Sequence, residues 1–187
     1  MASAELSARS NLDHHPSSQL LAEWALVNVS PGVAMAVDAH VGRCARCRLQ
    51  AASSRNRSGD LQPAVHRQSP PDLGADDRVP LPNLRVEDWA QLAEGLEMAV
   101  AAQANGLGEC VFLLRAVPNA KVSRPALASS FVLLVLDGAV YVDGRRLGAG
   151  DFLELQGAPA VACADSVAGA TLLVVADEAP RRPRRRR

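Results

Sequence analysis

Residues 40–47 read HVGRCARC, and the reading of this octapeptide decides the rest. Offsets of 0, 4 and 7 fall on one face of a helix, so a helical path through it would point His40, Cys44 and Cys47 the same way. A CxxC pair alone also occurs in redox motifs and by chance. Here a histidine lies one helical turn upstream, and no strand leads in as a thioredoxin-like pattern would require, so the trio reads as a metal site. Zinc asks for four tetrahedral nitrogen and sulfur ligands, and this face supplies three. The fourth is expected from His14 or His15, at the start of the preceding helix, which a hairpin would return to the His40 region. The competing reading is two buried core thiols beside a surface histidine.

Helical signals surround the motif. Leu20, Leu21 and Trp24 recur at helical spacing after Pro16-Ser17-Ser18, a sound helix start. The run Asn28-Val29-Ser30-Pro31-Gly32 breaks the pattern. Ser30 then serves as an N-cap with Pro31 in the first helical position, where its missing N–H costs nothing. The next helix is expected from Pro31 into the forties, with Val33, Val37 and Val41 on one apolar stripe. Residues 49–82 are rich in Ser, Pro, Arg, Asp and Gly, and read as a flexible linker. A random coil of that length has a root-mean-square reach of about 30 Å, enough for the parts on either side to act separately.

Residues 83–178 read as strands. Gly95 to Ala102 and Cys110 to Val117 are joined by a turn at Asn105-Gly106-Leu107-Gly108. Phe131 to Leu136 is a buried strand turned by Asp137-Gly138. Ala139 to Val142 pairs with Arg145 to Leu147 across Asp143-Gly144, a type I′ hairpin signal. Phe152 to Leu155, Val161 to Ala164 and Ala170 to Ala176 complete an antiparallel barrel or jelly roll. The expected architecture is therefore α + β in two domains. A helical zinc domain (1–48) is followed by a linker (49–82), a β-barrel (83–178) and an Arg-rich tail (179–187).

Twenty basic and twenty acidic residues balance over the chain, but six arginines crowd into residues 181–187. The body is thus mildly acidic and the tail strongly basic, which favours a solvated tail and gives no general case for nucleic-acid binding. No apolar run approaches the roughly 18–20 residues of a membrane span, and the first fifteen residues are polar, so a cytoplasmic protein is expected. No Ser-His-Asp grouping, P-loop or GxGxxG is present, and Asp137, Asp143 and Asp151 stand at turns, so no enzyme activity is expected. Cys110 and Cys163 sit in apolar strands and read as small hydrophobes.

His14-His15 followed by Leu20-Leu21, a break, and AVDAHVGRCARCR at 36–48 resembles the zinc-binding anti-sigma domain of bacterial ChrR-type regulators. That family carries a C-terminal cupin-like domain. Trp89-x2-Leu92-x2-Gly95-Leu96-Glu97, VFLLRAVP at 111–118, LVLDG at 134–138 and Gly150-Asp151 follow it in order. The resemblance implies His15, His40, Cys44 and Cys47 as ligands of one structural zinc ion. It implies an extracytoplasmic function sigma factor as partner, sequestered without covalent chemistry. It also places the family's second, cupin-borne metal site at Pro125, Leu127, Phe131 and Val161, none of which can ligate, and His66, the remaining histidine, lies in the linker. The barrel is accordingly expected to be metal-free. The family's further helix after the cysteine pair has no convincing counterpart beyond a turn or two around Ala51 and Ala52. The alternative is a cupin-type small-molecule binding protein or enzyme with an accessory zinc domain.

Overall fold

The computed structural model describes residues 14–57, 89–103, 109–123, 131–142, 144–155 and 163–177. Three helices come first: α1 (Ser18–Ala25), α2 (Pro31–Arg43) and α3 (Ala45–Arg57). Eight strands follow: β1 (Ala90–Ala93), β2 (Leu96–Gln103), β3 (Cys110–Ala116), β4 (Lys121–Ser123), β5 (Phe131–Val142), β6 (Arg145–Gly148), β7 (Phe152–Leu155) and β8 (Cys163–Ala176). Their order is β1-β2-β3-β8-β5-β6, with β4 on β8 and β7 on β5, and the pairings are antiparallel. The expected sequence of helices followed by an antiparallel sheet is the one found.

The helix starts follow from local chemistry. Ser17 and Ser30 cap α1 and α2, accepting from the N–H groups of Leu20 (3.1 Å) and Val33 (3.4 Å). Pro31 opens α2 as expected. The α1 end is a Schellman turn: Val27 N–H donates to Trp24 O and Asn28 N–H to Glu23 O. This places the β-branched Val27 at φ 61°, where glycine is the usual occupant.

Two helical expectations are corrected. HVGRCARC is not one continuous helix, because Cys44 adopts φ −102° and ψ 102° and ends α2. Cys44 N–H still donates to His40 O, its carbonyl accepts from Arg48 N–H, and its sulfur accepts from Cys47 N–H at 3.4 Å. One residue thus closes α2 and caps α3. Secondly, α3 runs to Arg57, past the boundary expected at Arg48. Its buried residues Cys47, Ala51 and Ser54 recur at helical spacing but are all small, so the amphipathic signal is weak. The linker beyond Arg57 and the tail lie outside the described residues.

In the sheet, Asp137-Gly138 is not a turn, and residues 163–164 and 170–176, expected in two strands, lie on the single strand β8, while residues 161 and 162 lie outside the described residues. β5 and β8 are long strands that pair along most of their length, with register shifts between Val135/Asp137 and Gly138/Val140. Gly138 (φ 76°) and Gly169 (φ 88°) sit at the bends, and a Cβ on Gly138 would lie 2.1 Å from Gly169 O. These glycines mark bulges where two backbones approach closely. The Arg145–Val142 hairpin closes across Gly144 (φ 73°) as expected. The short strands β1 and β4 were not anticipated.

Strand alternation sorts the apolar runs onto two faces. Phe112, Leu114, Leu133, Val135, Leu172 and Val174 fill the barrel interior. Val111, Leu113, Leu134, Leu136, Leu173 and Val175 point the other way, into a second cluster with Leu21, Trp24, Ala36, Val37 and Val41 of the helices. The central strands are apolar on both faces because both faces are covered. The helices therefore do not float on a tether but form a layer packed on the sheet. Glu109, just before β3, fixes the α2 N-terminus: it accepts from Gly32 N–H (3.0 Å) and from Ser30 Oγ–H. Trp24 Nε1–H donates to Asp38 (3.0 Å), tying α1 to α2.

Replacing Val27 by Gly is expected to relieve the left-handed strain, raising stability by about 1 kcal/mol and the melting temperature by roughly 2–4 °C. Thermal unfolding followed by circular dichroism checks this; a lower melting temperature would contradict the strain argument.

Candidate metal centre

The four predicted ligands come from two stretches of chain, one before α1 and one spanning the α2–α3 junction. His15 precedes α1, His40 lies in the last turn of α2, Cys44 is the junction and Cys47 sits in the first turn of α3. The His15 segment is held by the barrel. His14 N–H donates to Asp151 Oδ1 (3.2 Å), Phe152 N–H to His14 O (3.2 Å) and Ser17 N–H to Glu154 Oε1 (2.5 Å).

Nδ1 or Nε2 of the two histidines and the two sulfurs all lie within 4.8 Å of one another. His15 Nδ1 is 3.5 Å from each of Cys44 Sγ and Cys47 Sγ. With Zn–N near 2.0–2.1 Å and Zn–S near 2.3 Å, a tetrahedral N···S edge is about 3.6 Å, so these spacings fit such an ion. His40 supplies a sharper test. Its Nδ1–H donates to Gly150 O at 2.8 Å, which fixes the tautomer and leaves the lone pair on Nε2. That Nε2 is buried without a hydrogen-bond partner, an arrangement that is costly unless something else takes the lone pair. The donor set and its geometry fit a metal ion of zinc type.

Electrostatics agree. Burial, against the Gly150 hydrogen bond, pushes His40 down to about 4, so its imidazole is neutral near pH 7. Burial and the neighbouring Cys44 push the Cys47 thiol up to about 12. The first is ready to ligate, whereas the second must surrender a proton to do so. Phe152 stacks edge-on against the His40 ring at 5.8 Å and shields this side of the cluster.

Of the two histidines that sequence left open, His15 lies in the cluster, while the His14 ring faces Asp151 at 3.6 Å. Pro125, Leu127 and Val161, the positions of the second family site, lie outside the described residues, as does His66. Phe131 is described by its backbone alone, paired with Leu155 and Ala176. Cys110 is half-buried in β3 and Cys163 is placed on β8 by its backbone. Sequence reasoning missed Glu109, Gly150 and Glu154 as anchors of the helical layer and took Asp151 for an ordinary turn residue. Their partners are some 75 to 140 residues away in the chain, and no local pattern announces them.

No family model matches the chain, and no curated protein matches its sequence. Among solved structures, the crystal structure of Rhodobacter sphaeroides SigE in complex with the anti-sigma ChrR matches at TM-score 0.71 and 21% identity, covering 88% of this chain and 99% of the other. KdgF from a Halomonas species matches at TM-score 0.40 and 19% identity, over 51% of this chain and 88% of its own. A cupin superfamily protein from Desulfitobacterium hafniense matches at TM-score 0.37 and 14% identity, over 49% and 96%. The last two values are too low to bear on function. The first shows that helical layer and sheet together make a ChrR-like fold. No helix among the described residues is long and apolar enough to cross a membrane.

Metal loading is expected to release protons, because the Cys47 thiol must be displaced from its protonated form. Titrating a divalent metal into the metal-free chain in weak buffer with a pH indicator should release at least one proton per ion. Apparent affinity should rise as pH is raised through neutrality. Binding without proton release would remove the thiols from the ligand set.

Proposed function

We propose that this chain is an anti-sigma factor that sequesters an extracytoplasmic function sigma factor through its helical layer, with one structural zinc ion held by His15, His40, Cys44 and Cys47. The likeness to ChrR over 88% of the chain carries this reading, since it includes the helical layer together with the sheet. The four-donor cluster supports it from the chain's own chemistry. Four protein ligands leave no open coordination position, so the ion's contribution is to folding. It ties the segment before α1 to the α2–α3 junction, where the small stripe of α3 could not do so by packing alone.

The working surface in this reading is the outer side of the helices. Leu26 and Leu49 are exposed there to 48% and 71%, apolar side chains available to a partner. Sequestration makes and breaks no covalent bond. It needs only that this face compete for the surfaces the sigma factor uses on polymerase and promoter. The mildly acidic body suits a basic DNA-binding partner. Among the described residues the barrel interior contains an apolar cluster that includes Phe112, Leu114, Leu133, Val135, Leu172 and Val174.

Co-expression of the full chain with the sigma factor encoded beside its gene should give a co-purifying complex with about one zinc per chain and no promoter-directed transcription by that sigma factor. Leu49→Glu, an exposed change that should leave the fold intact, should weaken the complex at least tenfold. Failure of the wild-type chain to retain the sigma factor at micromolar concentration would sink the proposal.

A further inference from the structure

Beyond its four ligands, the cluster meets the barrel at the turn between β6 and β7 and at the neighbouring Phe152. Gly150 O accepts from His40 Nδ1–H at 2.8 Å. This carbonyl is presented by a tightly bonded loop. Gly150 N–H donates to Val135 O, Val135 N–H to Asp151 O, and Asp151 N–H to Gly148 O. Asp151 is 5% exposed, and its carboxylate bridges the two sides of the contact: Oδ2 accepts from Gly148 N–H (2.8 Å) and Oδ1 from His14 N–H (3.2 Å). Gly150 itself has φ 93°, so few other residues could present the carbonyl in this way. On the far side, Phe152 N–H holds His14 O, beside the ligand His15.

We propose that Asp151 is a positioning residue of the metal centre, acting through the Gly150 carbonyl and the His14 backbone to set how tightly the ion is held. The inference rests on reading the cluster as a metal site. Carbonyl or carboxylate partners on the free nitrogen of a ligating histidine orient the ring and raise its basicity, and their loss typically costs 10–100-fold in metal affinity. Here that partner belongs to the barrel and not to the helices. Metal affinity is therefore a property of the docked pair, and by linkage the ion must strengthen the docking in return.

The test measures zinc affinity of the full chain by competition with a chromophoric chelator, and the ligand set by the absorption of the cobalt(II) form. Asp151→Ala should lower zinc affinity at least tenfold while the thiolate-to-cobalt charge-transfer and tetrahedral d–d bands stay intact. Asp151→Asn keeps the size and one acceptor, so it should fall between wild type and Ala, and it serves alone if the Ala variant does not fold. Met98→Ala, in the barrel interior away from the turn, should lower the melting temperature without changing affinity. Asp151 variants within twofold of wild type would overturn the proposal, as would an equal loss of affinity in Met98→Ala. A wild-type chain that shows no thiolate–cobalt band would instead overturn the metal centre itself, and the positioning role with it.

Discussion

A sheet apolar on both faces has to be covered on both faces, and everything else in this molecule follows from that demand. Leu133, Leu172 and Val174 satisfy it inward, by curling the sheet over its own interior. Leu134, Leu173 and Val175 cannot be satisfied that way and require a separate cover. Three short helices supply it, although their inward residues are mostly modest: Ala36, Val37, Cys47 and Ala51 beside the larger Leu21 and Trp24. Such a layer is weak by burial alone, which explains why it is pinned by so many polar contacts. Glu109 holds one end of α2, Glu154 the start of α1, and Gly150 the histidine between them.

The metal cluster lies at the edge of this cover, where α2 ends. Cys44 makes the geometry possible by leaving the helical path for a single residue. A continuous helix would hold His40, Cys44 and Cys47 along a line on one face, whereas the bend at Cys44 folds them round a point. The same bend turns α3 back along α1, where Gln50 Nε2–H donates to Ser18 Oγ at 2.7 Å. Ligand convergence and helix packing are consequences of one set of backbone angles.

Much of this was written locally and could be read locally. Ser30-Pro31 announces a helix start because a cap acts within three residues. The His/Cys spacing announces a metal because the donor types are rare together. Other features carry signals that two structures share. Asp137-Gly138 suits a turn or a bulge equally, and only the facing Gly169 decides between them. The 0, 4, 7 spacing suits one helix, but it also suits two helices hinged at the middle donor. The length of α3 was hidden because Cys47, Ala51 and Ser54 pack without being large. The separation of helices from barrel was expected from the polar stretch between them. Composition of a connection does not reveal whether the parts it joins share a core. The double-sided apolar runs in β5 and β8 carried that information, since a strand with one wet face would have alternated.

The docking surface for α2 is contributed by strands made near the other end of the chain, and this has a consequence for synthesis. At about 5–20 residues per second, the roughly 130 residues between Val41 and Val175 take on the order of ten seconds to emerge. Until β8 is made, the apolar side of the helices has no complete sheet to rest on. His15, His40, Cys44 and Cys47, by contrast, all lie within the first third of the chain and emerge long before β8. A nascent chain that captures an ion early would carry its helices as a preformed unit, with the barrel arriving later to close over them.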